Sequence, residues 1–222
     1  MAIRAVQAQT AEYIINNLLV TMGLRVDEAV GRAIAALLHT DSHVVAEVLE
    51  SSVAIQELEL TLDKAVFFAL ERGDLGAPEI KRVTSAVNIS KDLSRLGKLA
   101  ANLGRKVTEV GKHQEHEDFS RLQPLAIAVS HLCRQTLRSL TRLDPVLARN
   151  AAEGGASVDA YRDYVLRGLG AQQHAADEQN LHLIFASRCL EQIADNAVHL
   201  AENLLVFLAD EREPENSHTM AS

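Results

Sequence analysis

Residues 185–195 of the chain read FASRCLEQIAD, and residues 88–98 read NISKDLSRLGK. The two segments share a serine, a basic residue and the spacing of their apolar positions, with an offset of 97 residues. A second pair of segments, 38–41 (LHTD) and 141–144 (TRLD), recurs with an offset of 103 residues. Similar segments that occur twice in the same order predict an internal repeat. The difference between the offsets falls in a loop, where shortening is tolerated.

Apolar residues follow a helical pattern along most of the chain. They recur every three or four positions in six long segments, which are separated by short polar or Gly/Pro-containing breaks. Aromatic residues make up only 4% of the chain and Trp is absent, which disfavours strands. Asp144 and Pro145 are of the types preferred at a helix start, whereas Gly154-Gly155 should weaken or kink the fifth helix. The six predicted helices run over about 5–38, from the turn at 40–42 to 71, and over 78–110, 119–143, 145–169 and 176–209.

The repeat and the helices together predict an all-α fold of two tandem, pseudo-symmetric three-helix bundles. Hydrophobic residues make up 47% of the 222 residues, enough for a sizeable buried core. Residues 1–111 are predicted to form the first repeat and residues 119–210 the second. Residues 211–222 are predicted to be a disordered tail.

Charge and hydropathy exclude two classes of partner. The formal net charge is −8 and the chain has no cluster of Lys and Arg, so a nucleic acid is not an expected partner. No apolar run approaches the ~20 residues of a membrane span, and the start lacks a signal-peptide pattern. We therefore expect a cytoplasmic protein that meets a membrane only through its partners. Cys133 and Cys189 stand alone in apolar segments and are interpreted as buried, reduced thiols.

The segment Leu190–Asp195, LEQIAD, resembles the motif that each repeat of the PhoU family carries on its third helix, approximately Leu-Glu-Arg-Ile-Gly-Asp. The first copy, residues 93–98, reads LSRLGK and departs from that motif. The resemblance covers about residues 8–209, and two repeats in register are more specific than one motif. It implies a PhoU-like fold and a regulator of phosphate uptake and phosphate-starvation signalling.

The resemblance also implies a metal site in the second repeat. Family members use these motifs to bind multinuclear iron or other divalent metals, and carboxylates at i and i+4 point two oxygen ligands from one helix face. The predicted cofactor is therefore a divalent or multinuclear metal: iron, manganese, magnesium or zinc. The predicted ligands are Asp159, Asp163, Glu191 and Asp195, with His199 and Glu202 as further candidates. A second interpretation of the same acidic residues is a solvated helix rim.

The first repeat should lack that metal. Its corresponding positions are Glu59, Asp63, Ser94 and Lys98, a degenerate site in which two acidic residues are replaced. Our hypothesis is that Lys98 places a fixed positive charge near the two remaining acidic residues, together with Arg105. The second repeat would then hold the family-like site alone.

Neither a phosphate-binding Gly-rich loop nor a nucleophile motif is present, so the chain is not expected to be an enzyme. The resemblance implies contact with the ATPase subunit of a phosphate ABC transporter and with a sensor histidine kinase, and we expect a homo-oligomer, with a dimer favoured. Three alternatives stay open: a PhoU-like accessory protein of a single-component transporter, a helical metal-binding or storage protein, and a plain helical adaptor.

Overall fold

The computed structural model describes residues 2–39, 44–73, 75–111, 119–170 and 178–209. These residues form seven α-helices and a 3₁₀ turn at Phe119–Leu122, with no strand among them, which confirms the all-α prediction. None of the described helices has a stretch long and apolar enough to cross a membrane. The helices are α1 (Ala2–His39), α2 (Val45–Glu71), α3 (Ala77–Gly111), α4 (Gln123–Arg142), α5 (Pro145–Glu153), α6 (Gly155–Gly170) and α7 (Glu178–Ala209).

The turn between α4 and α5 has the cap that the sequence predicted. The Asp144 side chain accepts hydrogen bonds from the backbone N–H groups of Val146 (2.8 Å) and Leu147 (3.2 Å), and Pro145 follows it at the start of α5. Leu143 closes α4 in the left-handed conformation, with a φ of 51°. These bonds satisfy backbone groups that a bare helix end would leave unpaired.

The fifth predicted helix is divided in the structure. α5 ends at Glu153 and α6 begins at Gly155, and the N–H of Gly154 donates to the Ala151 carbonyl (3.1 Å) instead of continuing the α-helical pattern. A Cβ on Gly154 would lie 3.1 Å from a methyl carbon of Leu132 on α4. Glycine at the break therefore lets the chain pass close to α4.

The helices form two groups of the predicted kind. α1, α2 and α3 pack on one another, and α4 packs with α5, α6 and α7. The groups meet where α3 packs against α7 and α1 against α4, and one apolar core runs through both. The repeat boundaries, 1–111 and 119–210, stay a prediction. The connector at 112–118 and the predicted tail at 211–222 lie outside the described residues.

α3 and α7 run antiparallel, as two cation–aromatic contacts show. The guanidinium carbon of Arg82, near the start of α3, lies 5.2 Å from the ring centroid of Phe207, near the end of α7. At the opposite ends, the ammonium of Lys106 lies 5.5 Å from the ring centroid of Phe185. These contacts cover aromatic rings with cationic side chains at both ends of the helix pair.

A polar cluster lies at the centre of the α3–α7 contact, around Asp92. Only 7% of Asp92 is exposed, and it is bonded from three positions of α7. Asn196 donates to its backbone carbonyl (2.9 Å), Asn203 donates to one carboxylate oxygen (2.6 Å), and Nδ1 of His199 lies 3.0 Å from the other. A buried carboxylate is tolerated only with such partners, so the cluster fixes the register of the two halves.

Two glycines on α3 bring α2 close. A Cβ on Gly97 would lie 2.9 Å from Cδ1 of Ile55, and a Cβ on Gly104 would lie 3.2 Å from a methyl carbon of Val45. Moving forward along α3 therefore corresponds to moving back along α2, so these helices also run antiparallel. The absence of side chains at the two positions sets the distance between the helices.

Gly97→Val should lower the free energy of unfolding by about 1–3 kcal/mol, because the added methyl groups would overlap the fully buried Ile55 side chain. Urea denaturation monitored by circular dichroism measures the change. Gly31→Val is the matched control, since a Cβ at Gly31 on α1 meets nothing within 4 Å. Equal effects of the two substitutions would show that helix propensity, not close packing, determines the loss.

Candidate functional site

Arg162, on α6, lies among the acidic residues that the sequence predicted to be metal ligands. Its Nη1 lies 3.0 Å from Oδ1 of Asp159 and 2.9 Å from Oε1 of Glu191, which projects from α7. Its Nη2 and Nε lie 3.0 and 3.1 Å from Oδ1 of Asp163. One guanidinium therefore binds three of the four predicted ligands and connects α6 to α7.

The charge of Arg162 is fixed. Hydrogen bonds to Asp163 and Glu191 and the charge of Asp159 raise the pKa of its guanidinium above an already high ordinary value. Three-quarters of the Arg162 and Glu191 side chains are buried, whereas more than half of Asp159 and Asp163 is exposed. The Arg162–Glu191 pair is thus the shielded part of the cluster, where an ion pair is least screened by solvent.

Asp195, the fourth predicted ligand, is left without an ion pair within 4 Å among the described residues. It lines a cavity of about 280 Å³ together with Asp159, Arg162 and Glu191. Desolvation and then the negative charges of Glu191 and Asp159 raise the pKa of Asp195, and Arg162 and Arg95 oppose that shift. The structure therefore gathers all four predicted carboxylates around Arg162, three by direct contact and one across the cavity.

Arg162 was not among the site residues predicted from the sequence. The signal was present, since Asp159 and Arg162 have the i, i+3 spacing of a helical ion pair and Asp163 follows directly. What the sequence could not supply was the direction of the side chain. From the sequence alone, an Arg162 that pairs only within α6 cannot be distinguished from one that also bonds to Glu191 on α7.

The two further candidates lie elsewhere. His199, whose side chain is 62% exposed, contacts Asp92 of α3 and belongs to the polar cluster between the two halves. Glu202 is exposed and forms no ion pair within 4 Å among the described residues. Neither lines the cavity beside Asp195.

In the first repeat, no ion pair or hydrogen bond of the described part of the chain joins the predicted residues to one another. Glu59 and Asp63 are half-buried on α2, Ser94 is buried with a hydroxyl that has no hydrogen-bond partner, and Lys98 is exposed. Because Gly97 faces Ile55, the antiparallel register puts Lys98 level with about residue 54. At 1.5 Å per residue, Asp63 is then roughly 13 Å further along α2.

The hypothesis that Lys98 compensates the acidic residues of α2 is therefore not supported by the geometry. No ion pair within 4 Å joins Lys98 to Glu59 or Asp63 in the described part of the chain. Arg105, the second cation of that hypothesis, donates instead to Asn102 on its own helix (2.8 Å). The physical reason is register: Lys98 and the α2 carboxylates are at different levels of the helix pair.

The carboxylates of the second repeat, as arranged, do not fit a metal ion. The described residues contain no group of three or more His, Cys, Asp or Glu side chains that could hold one. One oxygen of Asp163 and one of Glu191 already accept hydrogen bonds from Arg162, and an oxygen of Asp159 is ion-paired with it at 3.0 Å. The metal cofactor stays a prediction, and it would require Arg162 to leave these oxygens.

Both cysteines are free, and neither has the properties of a catalytic thiol. Burial, with a smaller contribution from Asp27, raises the pKa of Cys133 to about 12. Partial burial also raises the pKa of Cys189, although nearby Lys106 opposes that shift. Reactive cysteines have lowered pKa values, unlike these two. Cys133 is buried, as predicted, whereas Cys189 is only half-buried.

Asp195→Asn should raise the free energy of unfolding at neutral pH by a few tenths of a kcal/mol, the usual scale for an exposed charge. The pKa of Asp195 is higher in the folded state than its ordinary value of 3.8, so the ionised carboxylate lowers the free energy of unfolding at neutral pH. Below pH 3.8 the carboxyl group is protonated in both states, and this loss of stability disappears. Urea denaturation at pH 7 and pH 3 measures the difference. Asp163→Asn, which removes the negative charge that Arg162 is bonded to, should instead reduce stability; a gain for Asp195→Asn that persists at pH 3 would contradict the assignment.

Comparison with known proteins gives matches along nearly the whole chain. The PhoU domain family matches residues 19–107. The phosphate-specific transport system accessory protein PhoU homolog of Xylella fastidiosa is 28% identical, over 88% of this chain and 84% of that protein. The homolog of Pseudomonas aeruginosa is 27% identical, over 86% of this chain and 80% of that protein.

Solved structures agree with the sequence matches. The crystal structure of PhoU from Pseudomonas aeruginosa superimposes with a TM-score of 0.83 and 25% identity, covering 90% of this chain and 98% of that one. PhoU from Streptococcus pneumoniae, at 17% identity and a TM-score of 0.73, shares the fold. The domain match, the long sequence matches and the fold therefore agree that the chain is similar to PhoU proteins over most of its length.

Proposed function

We propose that the chain is an accessory regulator of phosphate uptake and phosphate-starvation signalling that acts through protein–protein contact. The observation that carries the proposal is the extent of the similarity to proteins named as accessory proteins of the phosphate-specific transport system. It spans 88% of this chain and 84% of one such relative, so both three-helix groups are included. The relationship therefore involves the whole architecture rather than one shared module.

The proposed partners are the ATPase subunit of a phosphate ABC transporter and a sensor histidine kinase, as the family resemblance implies. A contact role agrees with the chemistry of the described residues. Three of the four acidic side chains predicted as ligands are ion-paired with Arg162, and the two thiols have raised pKa values. The divalent-metal site that the sequence predicted is not part of this proposal.

An exposed apolar row on α2 supports a role through surfaces. Val53, Leu60 and Phe67 are 57%, 61% and 62% exposed, and Phe68 beside them is 62% exposed. Spacing of seven residues is close to two helical turns, so these side chains lie along one face, which we call the α2 stripe. Large exposed apolar side chains in a continuous row are typical of a contact surface.

We assign the α2 stripe to a second copy of the chain, giving the homodimer that the sequence analysis favoured. If two α2 helices align antiparallel about Leu60, the exposed Glu57 of each copy faces the exposed Lys64 of the other. The same alignment brings Val53 to the aromatic pair of the second copy. It also sets Glu50 opposite Glu71 at the solvent-exposed ends, where salt screens the repulsion. The stripe is thus self-complementary at its centre, as a two-fold interface requires.

Leu60→Glu should convert the dimer into a monomer, because it puts a charge at the centre of the α2 stripe in both copies. Size-exclusion chromatography with light scattering gives the mass in solution. Leu24→Glu, at a position that is 60% exposed on α1, is the control and should leave the dimer intact. A wild-type chain that is monomeric at high concentration would disprove the assignment.

Affinity purification from phosphate-replete cells should recover the ATPase subunit of the phosphate transporter or the sensor kinase with the tagged chain. Deletion of the gene should raise expression of a phosphate-starvation reporter, and the wild-type gene should restore its repression. Recovery of a single-component phosphate permease would favour the first alternative. Iron loading of many ions per chain, with no transporter recovered, would favour a storage protein.

A further inference from the structure

We propose that Arg162 is the resident cation of the second repeat: it occupies the position that a metal ion would take and excludes divalent cations from the four carboxylates. The proposal does not depend on the regulatory role. It follows from the disagreement between the acidic motif, which implies a metal, and the contacts that its residues make.

All three nitrogen atoms of the Arg162 guanidinium contact carboxylate oxygens. Nε and Nη2 of Arg162 donate to Oδ1 of Asp163 (3.1 and 3.0 Å), Nη1 donates to Oε1 of Glu191 (2.9 Å), and Oδ1 of Asp159 is ion-paired with Nη1 at 3.0 Å. Hard cations need such oxygens at about 2.0–2.6 Å. A metal ion bound to these oxygens would lie beside the guanidinium, so repulsion between like charges opposes its binding while the arginine is in place.

Arg162 cannot lose its positive charge. A guanidinium stays protonated in proteins, so no physiological change of pH frees the carboxylates from it. Its planar fork binds several carboxylate oxygens at once, and each bond is charge-assisted. Displacement therefore requires rotation of a side chain that is three-quarters buried.

The two repeats differ in whether an arginine faces the acidic residues of the third helix. α7 retains Glu191 and Asp195, and α6, which packs against it, carries Arg162. α3 has Ser94 and Lys98 in place of these acids, and the sequence of α2 contains no arginine. Of the two helices compared, α2 and α6, only α6 carries an arginine, and α6 belongs to the repeat whose other helix, α7, also keeps its acidic residues. This is the distribution expected of a counter-ion, because four carboxylates need a compensating charge.

The test is Mn²⁺ binding to the full-length, chelator-stripped protein, measured by equilibrium dialysis with elemental analysis. Arg162→Gln should bind Mn²⁺ at about one ion per chain and about tenfold or more tighter than the wild type, because the competing cation is gone. The double variant Arg162→Gln/Glu191→Gln should lose that binding. Arg167→Gln is the matched control: it removes an exposed arginine of the same helix that donates to the backbone carbonyl of Asp163.

Three outcomes would overturn the proposal. Stoichiometric Mn²⁺ binding by the wild type that is lost in Glu191→Gln would show that a metal shares the site with the arginine. No gain of binding in folded Arg162→Gln would show that the arginine does not exclude the ion, and an equal gain in Arg167→Gln would show a general charge effect. If Arg162→Gln does not fold, Arg162→Met removes the charge but keeps a long side chain to fill the space, and the same tenfold criterion applies to it.

Discussion

The antiparallel packing of α3 against α7 is the contact on which the rest of the structure depends. α3 already packs against α1 and α2, and α7 against α4, α5 and α6, so the contact between α3 and α7 joins two small bundles into one core. Asp92 lies at the centre of this contact with almost no solvent exposure. Its bonds to three residues of α7 are formed only in one register, so a polar cluster determines how the two halves are placed. Apolar packing alone would tolerate a helical slip far better.

The same two helices show how the repeats have diverged. α3 carries Ser94 and Lys98 where α7 carries Glu191 and Asp195, and α7 faces an arginine on α6. Both changes reduce the excess of negative charge between the second and third helices of a repeat. In one copy the acids are replaced, and in the other they are neutralised from the neighbouring helix. A motif match alone therefore does not show that a metal is bound.

Local features of the fold could be predicted from the sequence, because they depend on residues that are neighbours in the chain. The six apolar segments, the cap at Asp144 and the weakness at Gly154-Gly155 are of this kind. The contacts that could not be predicted depend on the direction of side chains and on register between helices. Arg162 reaches Glu191, 29 residues away, and Lys98 misses Asp63 because Gly97 lies opposite Ile55. His199 was placed beside Asp195 by spacing, yet it contacts α3.

The buried position of Asp92 has a consequence for dissecting the protein. The matched domain, residues 19–107, contains α3 but none of the side chains that bond to Asp92 from α7. A fragment cut at that boundary would uncover the apolar face of α3 and leave a carboxylate without its amide donors. We therefore expect the two repeats to unfold together rather than one at a time.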